Sequence, residues 1–295
     1  MTSHRTILIT GCSDGGLGSS LALAFHRAGW RVLASARNLS KLQKTTEAGI
    51  ESVQLDTLSD ESIARSVSEV QKLTGGALDV LLNNAGAGYS MPLTDVDIDE
   101  ARRIFDLNVW SLLSVTRAFL PLLQKSTHGG MLVNNTSCSS VTTGGLPLQG
   151  VYNASKAAAT SLTETLRLEL QPFGIRVVNL LTGAVRSNFF SNIPSPTLPS
   201  TSAYSLAREA IERAMSGEDP ADHTDPDQWA QQIVQAIDKS NPSFWVWKGR
   251  FSFIVRLTLH LPVGLLDDMV KKMRGLDVLE RKIKEQGGPS KVKLA

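Results

Sequence analysis

TILITGCSDGGLGSSLALAFHRA, residues 6–28, decides the fold. Thr6–Thr10 is a short apolar run of the kind that forms a buried strand. From Leu17 to Ala28 the apolar residues Leu17, Leu21, Ala24 and Phe25 fall on one helical face. Between strand and helix stand Gly11, Gly16 and Gly18. A tight turn without Cβ atoms lets backbone approach a pyrophosphate, and the helix start offers it free N–H groups and a positive dipole. Gly11, Ser13, Gly16, Leu17 and Gly18 are therefore candidate cofactor contacts.

Strand-like and helical stretches alternate downstream. Arg31–Ser35, Glu51–Leu55, Asp79–Leu82, Met131–Asn134, Arg176–Leu181 and Phe244–Trp247 read as strands. Ser59–Leu73, two helices around Asn108 within Ile98–Leu123, Tyr152–Leu170 and Asp227–Asp238 read as helices. Asp225-Pro226 supplies a cap and a first-turn proline for the last of these. This order predicts an α/β fold, one doubly wound parallel sheet with helices on both faces. The Pro- and Ser-rich segment 191–202 is expected to be a loop. No linker divides residues 1–248, which read as one domain, followed by an amphipathic helical tail over 249–295.

A net charge of +2 is too near balance to suggest a nucleic-acid partner. Cys12 and Cys138 form no disulfide framework, which suits a reducing compartment, and the histidines show no zinc-ligand spacing, so no metal is expected. The N-terminus lacks the apolar stretch of a signal peptide.

Gly11-Cys-Ser-Asp-Gly15 also matches the nucleophile elbow of serine hydrolases. That fold needs an earlier strand and loop for its oxyanion hole, and only ten residues precede Gly11. The ribose end is more telling. An acid after the second strand would bind the free ribose hydroxyls of NAD, whereas an arginine accommodates the 2′-phosphate of NADP. Here Arg37 is present with Lys41 and Lys44, and no acid occurs from Arg31 to Thr46, so NADP(H) is the expected cofactor.

Tyr152 and Lys156 are four apart on one helix and share a face. A phenol can exchange a proton with an alkoxide, but its ordinary pKa of about 10 is high for neutral pH. A neighbouring ammonium would lower it.

Taken together, TGCSDGGLG (10–18), LD (55–56), NNAG (83–86), Asn108, NNTS (134–137) and YNASK (152–156) resemble the short-chain dehydrogenase/reductase family over about residues 5–248. The resemblance implies a Rossmann-type fold. It makes Tyr152 the acid/base, with Lys156 lowering its pKa and binding the nicotinamide ribose. It gives Asn108 a place in a lysine–water relay, sets Asp56 against adenine and Asn84 beside the adenine ribose, and brings Val185 to the carboxamide. Either Gly15 or Gly16 is the second family glycine. The strand end selects Ser137 as the catalytic serine and the tyrosine spacing selects Ser139; Ser137 is favoured because loops absorb insertions more readily than strand ends. ITGCSDGGLG, ASARNLSKL, GVYNASKAA, LRLELQPFGIRV and WVWKG are most similar to fungal acyl-dihydroxyacetone-phosphate reductase-like and hydroxysteroid dehydrogenase-like members.

The expected activity is hydride transfer between NADPH and an apolar, lipid-, steroid- or polyketide-like ketone or aldehyde. A reductase of a secondary-metabolite pathway is the alternative within that class, and a non-catalytic nucleotide-binding regulator the alternative outside it. The tail run FSFIVRLTLHLPVGLL (251–266) is apolar but interrupted by Arg256, His260 and Pro262, too short and polar to span a bilayer. Basic residues follow it, among them Lys271, Lys272, Arg274, Lys282 and Lys284. This pattern suits a cytoplasmic enzyme resting peripherally on an ER membrane or lipid droplet. The same stripe could instead cover the pocket or pack against another subunit of a homo-oligomer.

Overall fold

The computed structural model describes residues 4–142, 145–188, 197–217 and 223–291. Its strands are β1 (Thr6–Ile9), β2 (Arg31–Ala36), β3 (Glu51–Gln54), β4 (Val80–Asn83), β5 (Met131–Asn135), β6 (Arg176–Thr182) and β7 (Trp245–Lys248). The helices between them are α1 (Leu17–Arg27), α2 (Gln43–Glu47), α3 (Asp60–Thr74), α4 (Ile98–Phe105), α5 (Ser111–Gln124), α6 (Gly150–Leu170), α7 (Arg208–Ser216) and α8 (Pro226–Ile237). After β7 come α9 (Ser252–Thr258), α10 (Asp267–Met273) and α11 (Leu276–Glu285).

All neighbouring strands pair in parallel, in the order β3-β2-β1-β4-β5-β6-β7. Side chains alternate across a strand, so Ile7 and Ile9 enter one core and Leu8 the other. The first core lies under α1 and α8, with Leu21, Phe25, Trp229 and Ile233. The second lies under α3, α5 and α6, with Ile63, Val70, Phe119 and Leu166. The inner strands β1, β4, β5 and β6 are covered on both sides, the condition under which a parallel sheet is stable. The order reverses between β1 and β4, and a ligand crevice forms beyond the strand C-termini at such a switch.

The caps are where the residue types place them. Ser59 accepts the Ser62 N–H at the start of α3, and Asp225 accepts those of Asp227 and Gln228 at the start of α8. Two helices were not anticipated: the five-residue α2, and α7 in the stretch after the Pro- and Ser-rich segment. Of that segment, 191–196 lies outside the described residues; from 197 the chain runs through turns into α7. The tail is helical as expected, and Gly249, at φ +93°, turns the chain out of β7 into it.

Candidate active site

The glycine-rich turn runs from the end of β1 to α1. Gly15 takes a left-handed φ of +78° and Gly16 is the cap of α1. A Cβ on Gly18 would stand 2.3 Å from the Gly11 carbonyl oxygen and 2.7 Å from Asn84 Nδ2; only glycine lets the helix start so close to the turn. No side chain among the described residues caps α1, which leaves the open helix start that a phosphate needs.

Other expected cofactor residues surround this turn. Arg37 is exposed directly after β2. Asp56 follows β3, where its carboxylate accepts the Leu58 N–H at 3.1 Å. The Asn84 amide braces the crevice, donating to the Thr10 carbonyl at 3.0 Å and accepting from Asn135 Nδ2 at 2.9 Å. Val185 pairs with Thr224 in an isolated bridge beyond β6. Asn188, not singled out in the sequence, donates its N–H to the Gly15 carbonyl at 3.1 Å and so joins the chain after β6 to the glycine-rich turn. Nothing local to Asn188 announces this contact, since its partner lies at the other end of the domain.

The catalytic candidates converge at the C-terminal ends of β4 and β5. Ser137 follows β5, and Tyr152 and Lys156 project from the first turns of α6. Burial pushes the Tyr152 phenol up to about 12, while a hydrogen bond with Ser137 pulls the other way. The sequence led us to expect the Lys156 ammonium to dominate that pKa. In the protein alone it does not: Lys156 is itself buried, its pKa is lowered to about 8 by desolvation, and Nζ donates to the Asn135 carbonyl at 3.1 Å.

Asn108 sits in a π-helical turn, Asp106–Trp110, between α4 and α5. Such a bulge re-aims a side chain out of the regular helical register. Its Oδ1 accepts the Ala87 N–H at 2.9 Å, while Nδ2 donates to the Ala87 carbonyl at 2.9 Å and to Ser155 Oγ at 3.0 Å. A Cβ on Gly86 would lie 3.0 Å from Asn108 Oδ1 and 3.3 Å from Lys156 Nζ, so these two groups meet over a residue with no side chain.

The two serines are in contact. Ser139 donates to Ser137 Oγ both from its backbone N–H, at 3.1 Å, and from its Oγ, at 3.0 Å. Ser137 makes a hydrogen bond with Tyr152 that favours the phenolate. The G-x-S-x-G serine, Ser13, lies in the phosphate turn on the first strand–helix connection, where its carbonyl accepts the Gly16 N–H.

Comparison with known proteins agrees with this geometry. The family model described as short chain dehydrogenase matches residues 5–197. The short-chain dehydrogenase/reductase GME11361 of Pestalotiopsis microspora is 43% identical over 288 residues, covering 96% of this chain and 99% of that protein. The NADPH-dependent 1-acyldihydroxyacetone phosphate reductase of Schizosaccharomyces pombe is 33% identical over 287 residues, covering 92% and 94%. A short-chain dehydrogenase from Streptomyces avermitilis has the same fold at a TM-score of 0.75 and 27% identity, covering 95% of this chain and 98% of that one. With its parallel sheet, its glycine-rich turn and Tyr152 and Lys156 on one helix, the chain belongs to the short-chain dehydrogenase family of oxidoreductases.

Proposed function

We propose that the protein is an NADPH-dependent reductase of a ketone or aldehyde with an apolar body. The observation that carries this reading is the contact of Tyr152 with Ser137, one helical turn from Lys156, at the mouth of the crevice. The open start of α1 and the Gly11–Gly18 approach fit a dinucleotide. Gly11, Ser13, Gly16, Leu17 and Gly18 would hold its pyrophosphate, Arg37 its 2′-phosphate, Asp56 and Asn84 the adenosine end, and Lys156, Tyr152 and Val185 the nicotinamide end. The reduced nicotinamide, when bound, supplies a hydride to the carbonyl carbon. Ser137 donates a hydrogen bond to the carbonyl oxygen and orients it. Tyr152 gives that oxygen its proton, a contribution of about two to four orders of magnitude. Lys156 holds positive charge beside the phenol as it becomes phenolate, and Asn108 anchors the peptide around Ala87 next to that ammonium.

The apolar substrate class is supported by a small core that begins at Leu148, four residues before Tyr152 in the chain. Leu148, Leu198, Ile211 and Met215 are buried there together, with Met91 and Tyr204 packed against them. The likeness to the fission-yeast reductase favours an acyl or other lipid chain within that class, and a secondary-metabolite ketone is the second reading. Purified protein would be given NADPH or NADH with panels of acyl-dihydroxyacetone-phosphate, steroid and polyketide ketones. Faster turnover with NADPH, eroded or reversed in Arg37→Asp, is the expected result; equal use of the two cofactors would overturn the cofactor assignment.

The tail bears on where the enzyme meets such a substrate. No helix among the described residues is long and apolar enough to cross a membrane. Yet Phe253, Ile254, Leu257, Val263, Leu265 and Met269 are all exposed within α9, α10 and their connection. Our reading is a peripheral lipid-surface contact made by this ridge, with Arg256, Lys271 and Lys272 beside it for anionic headgroups.

A further inference from the structure

Asp14 belongs to the glycine-rich turn, but its carboxylate leaves it. Oδ2 accepts the Gln43 N–H at 3.0 Å and Oδ1 accepts the Lys44 N–H at 3.2 Å. The Asp14 N–H donates to the Lys41 carbonyl at 2.8 Å. The phosphate turn is thereby fastened to the segment that runs from the end of β2 into the start of α2. That segment carries Arg37, Lys41 and Lys44 and no acid of its own. It is stiffened locally by Asn38, whose Oδ1 accepts from Ser40 N at 3.0 Å and Ser40 Oγ at 2.8 Å, and anchored below by fully buried Leu42. Asp14 is the strut that sets this basic segment at a fixed distance from the pyrophosphate turn. A carboxylate near a bound phosphate would ordinarily be repulsive; here both oxygens are turned onto backbone N–H groups.

We propose that Asp14 is a positioning residue for recognition of a 2′-phosphate: through backbone bonds to Gln43 and Lys44 it places the Arg37–Lys44 segment and so sets the preference for the phosphorylated cofactor. The inference rests on the NADPH reading above. The test uses the full-length protein and calorimetric binding of 2′,5′-ADP and 5′-AMP, with NADPH KM and kcat alongside. The wild type is expected to bind 2′,5′-ADP more tightly. Asp14→Ala should lose about tenfold of that discrimination, the size of one or two hydrogen bonds, with 5′-AMP binding and kcat little changed. Asp14→Asn keeps one acceptor oxygen but sets an NH2 donor against the other backbone N–H, so it should recover only part of the discrimination. Asp14→Glu keeps the charge but misplaces it, and should behave like Asp14→Ala; this variant decides the matter should Asp14→Ala not fold. Undiminished discrimination in Asp14→Ala or Asp14→Glu, or tighter 2′,5′-ADP binding in Asp14→Asn, would overturn the positioning role while leaving the NADPH reading intact. A wild type that binds the two nucleotides equally would overturn both.

Discussion

Ser139 Oγ donates to Ser137 Oγ at 3.0 Å, and the Ser139 N–H enters the same oxygen at 3.1 Å. With two donors on its oxygen, the proton of Ser137 is left to point away from Ser139, toward the Tyr152 phenol and the place of a substrate carbonyl. On the proposed mechanism Ser137 is the serine that meets the substrate carbonyl and Ser139 the one that orients it. Ser137→Ala should lower kcat by about 10²-fold, the scale of losing one oxyanion donor. Ser139→Ala keeps its backbone donor, so its loss should be that of a single neutral hydrogen bond, about tenfold or less. Comparing kcat for the two variants checks this, and the reverse order would exchange the roles.

Tyr152→Phe removes the proposed proton donor and leaves the ring. Turnover should fall by about 10²- to 10⁴-fold while NADPH still binds, read by its fluorescence on titration. Lys156→Ala should weaken both, because the proposed mechanism gives the ammonium a part beside the phenol and another at the nicotinamide ribose. Substantial carbonyl reduction by Tyr152→Phe would remove the tyrosine from the mechanism.

The same lysine is kept at a cost to stability. Burial lowers its pKa from 10.5 to about 8, so between those values the unfolded chain binds the proton and the folded one does not. Stability from this group therefore rises with pH across that window, and below about pH 8 the buried charge imposes its full penalty. The shift corresponds to about 3 kcal/mol at most. Lys156→Met should be inactive yet melt higher than wild type at neutral pH, with the gap in Tm shrinking as pH rises toward 10.5. A Tm difference independent of pH would mean that desolvation is not what lowers the lysine.

Much of this was legible in the chain because its signals are local. A strand, a glycine turn and an amphipathic helix occupy consecutive residues, and Tyr152 and Lys156 share a face through helical spacing alone. The caps Ser59 and Asp225 also act on residues within one turn of themselves. What escaped was the long-range part. The ribose end read as free of acids because Asp14 arrives from another loop. The helix α7 lies beyond a Pro-rich stretch and takes its stability from Ile211 and Met215 in a core completed by residues far away in sequence. Spacing gives proximity to a charge but not the depth at which Tyr152 and Lys156 are buried, and burial pushes the phenol up and the ammonium down.

At the opposite end of the sheet, Asp79 joins β1 to β4. Burial alone would raise its carboxyl, but hydrogen bonds from Ser126, Thr6 and His128 outweigh this and hold it below the usual value of 3.8. A carboxylate whose folded pKa is depressed contributes stability above its unfolded pKa and loses it as pH falls through the folded one. Asp79→Asn should destabilise by about 1–3 kcal/mol at neutral pH, with the difference closing below about pH 4, and should leave kcat per folded molecule unchanged. Urea midpoints at the two pH values measure this; a deficit that persists in acid would assign the effect to geometry instead of charge.

The tail divides in a way that determines how the proposed lipid-surface contact must be tested. Leu276, Val278 and Leu279 of α11 pack against the small core that contains Leu148 and Ile211, and Arg274 donates to the Ala214 carbonyl at 3.2 Å. Ending the chain at Lys248 would strip these contacts from that core and confuse membrane binding with loss of packing. The exposed ridge can be altered separately. Val263, which is 80% exposed, and Leu265 and Phe253, at 62% and 65%, have little packing to lose. The triple variant Phe253→Ser, Val263→Ser, Leu265→Ser should keep its Tm and its turnover of a soluble ketone. Each buried apolar side chain is worth about 1.5–3 kcal/mol, so their removal should release the protein from vesicles of anionic phospholipid even if each is only partly inserted. Co-sedimentation at rising salt separates the contributions, because the basic residues beside the ridge weaken with screening and the apolar contact does not. A folded wild type that fails to pellet with anionic vesicles at low salt, or a triple variant that pellets equally, would eliminate the lipid-surface reading and leave the ridge as a face for another protein subunit.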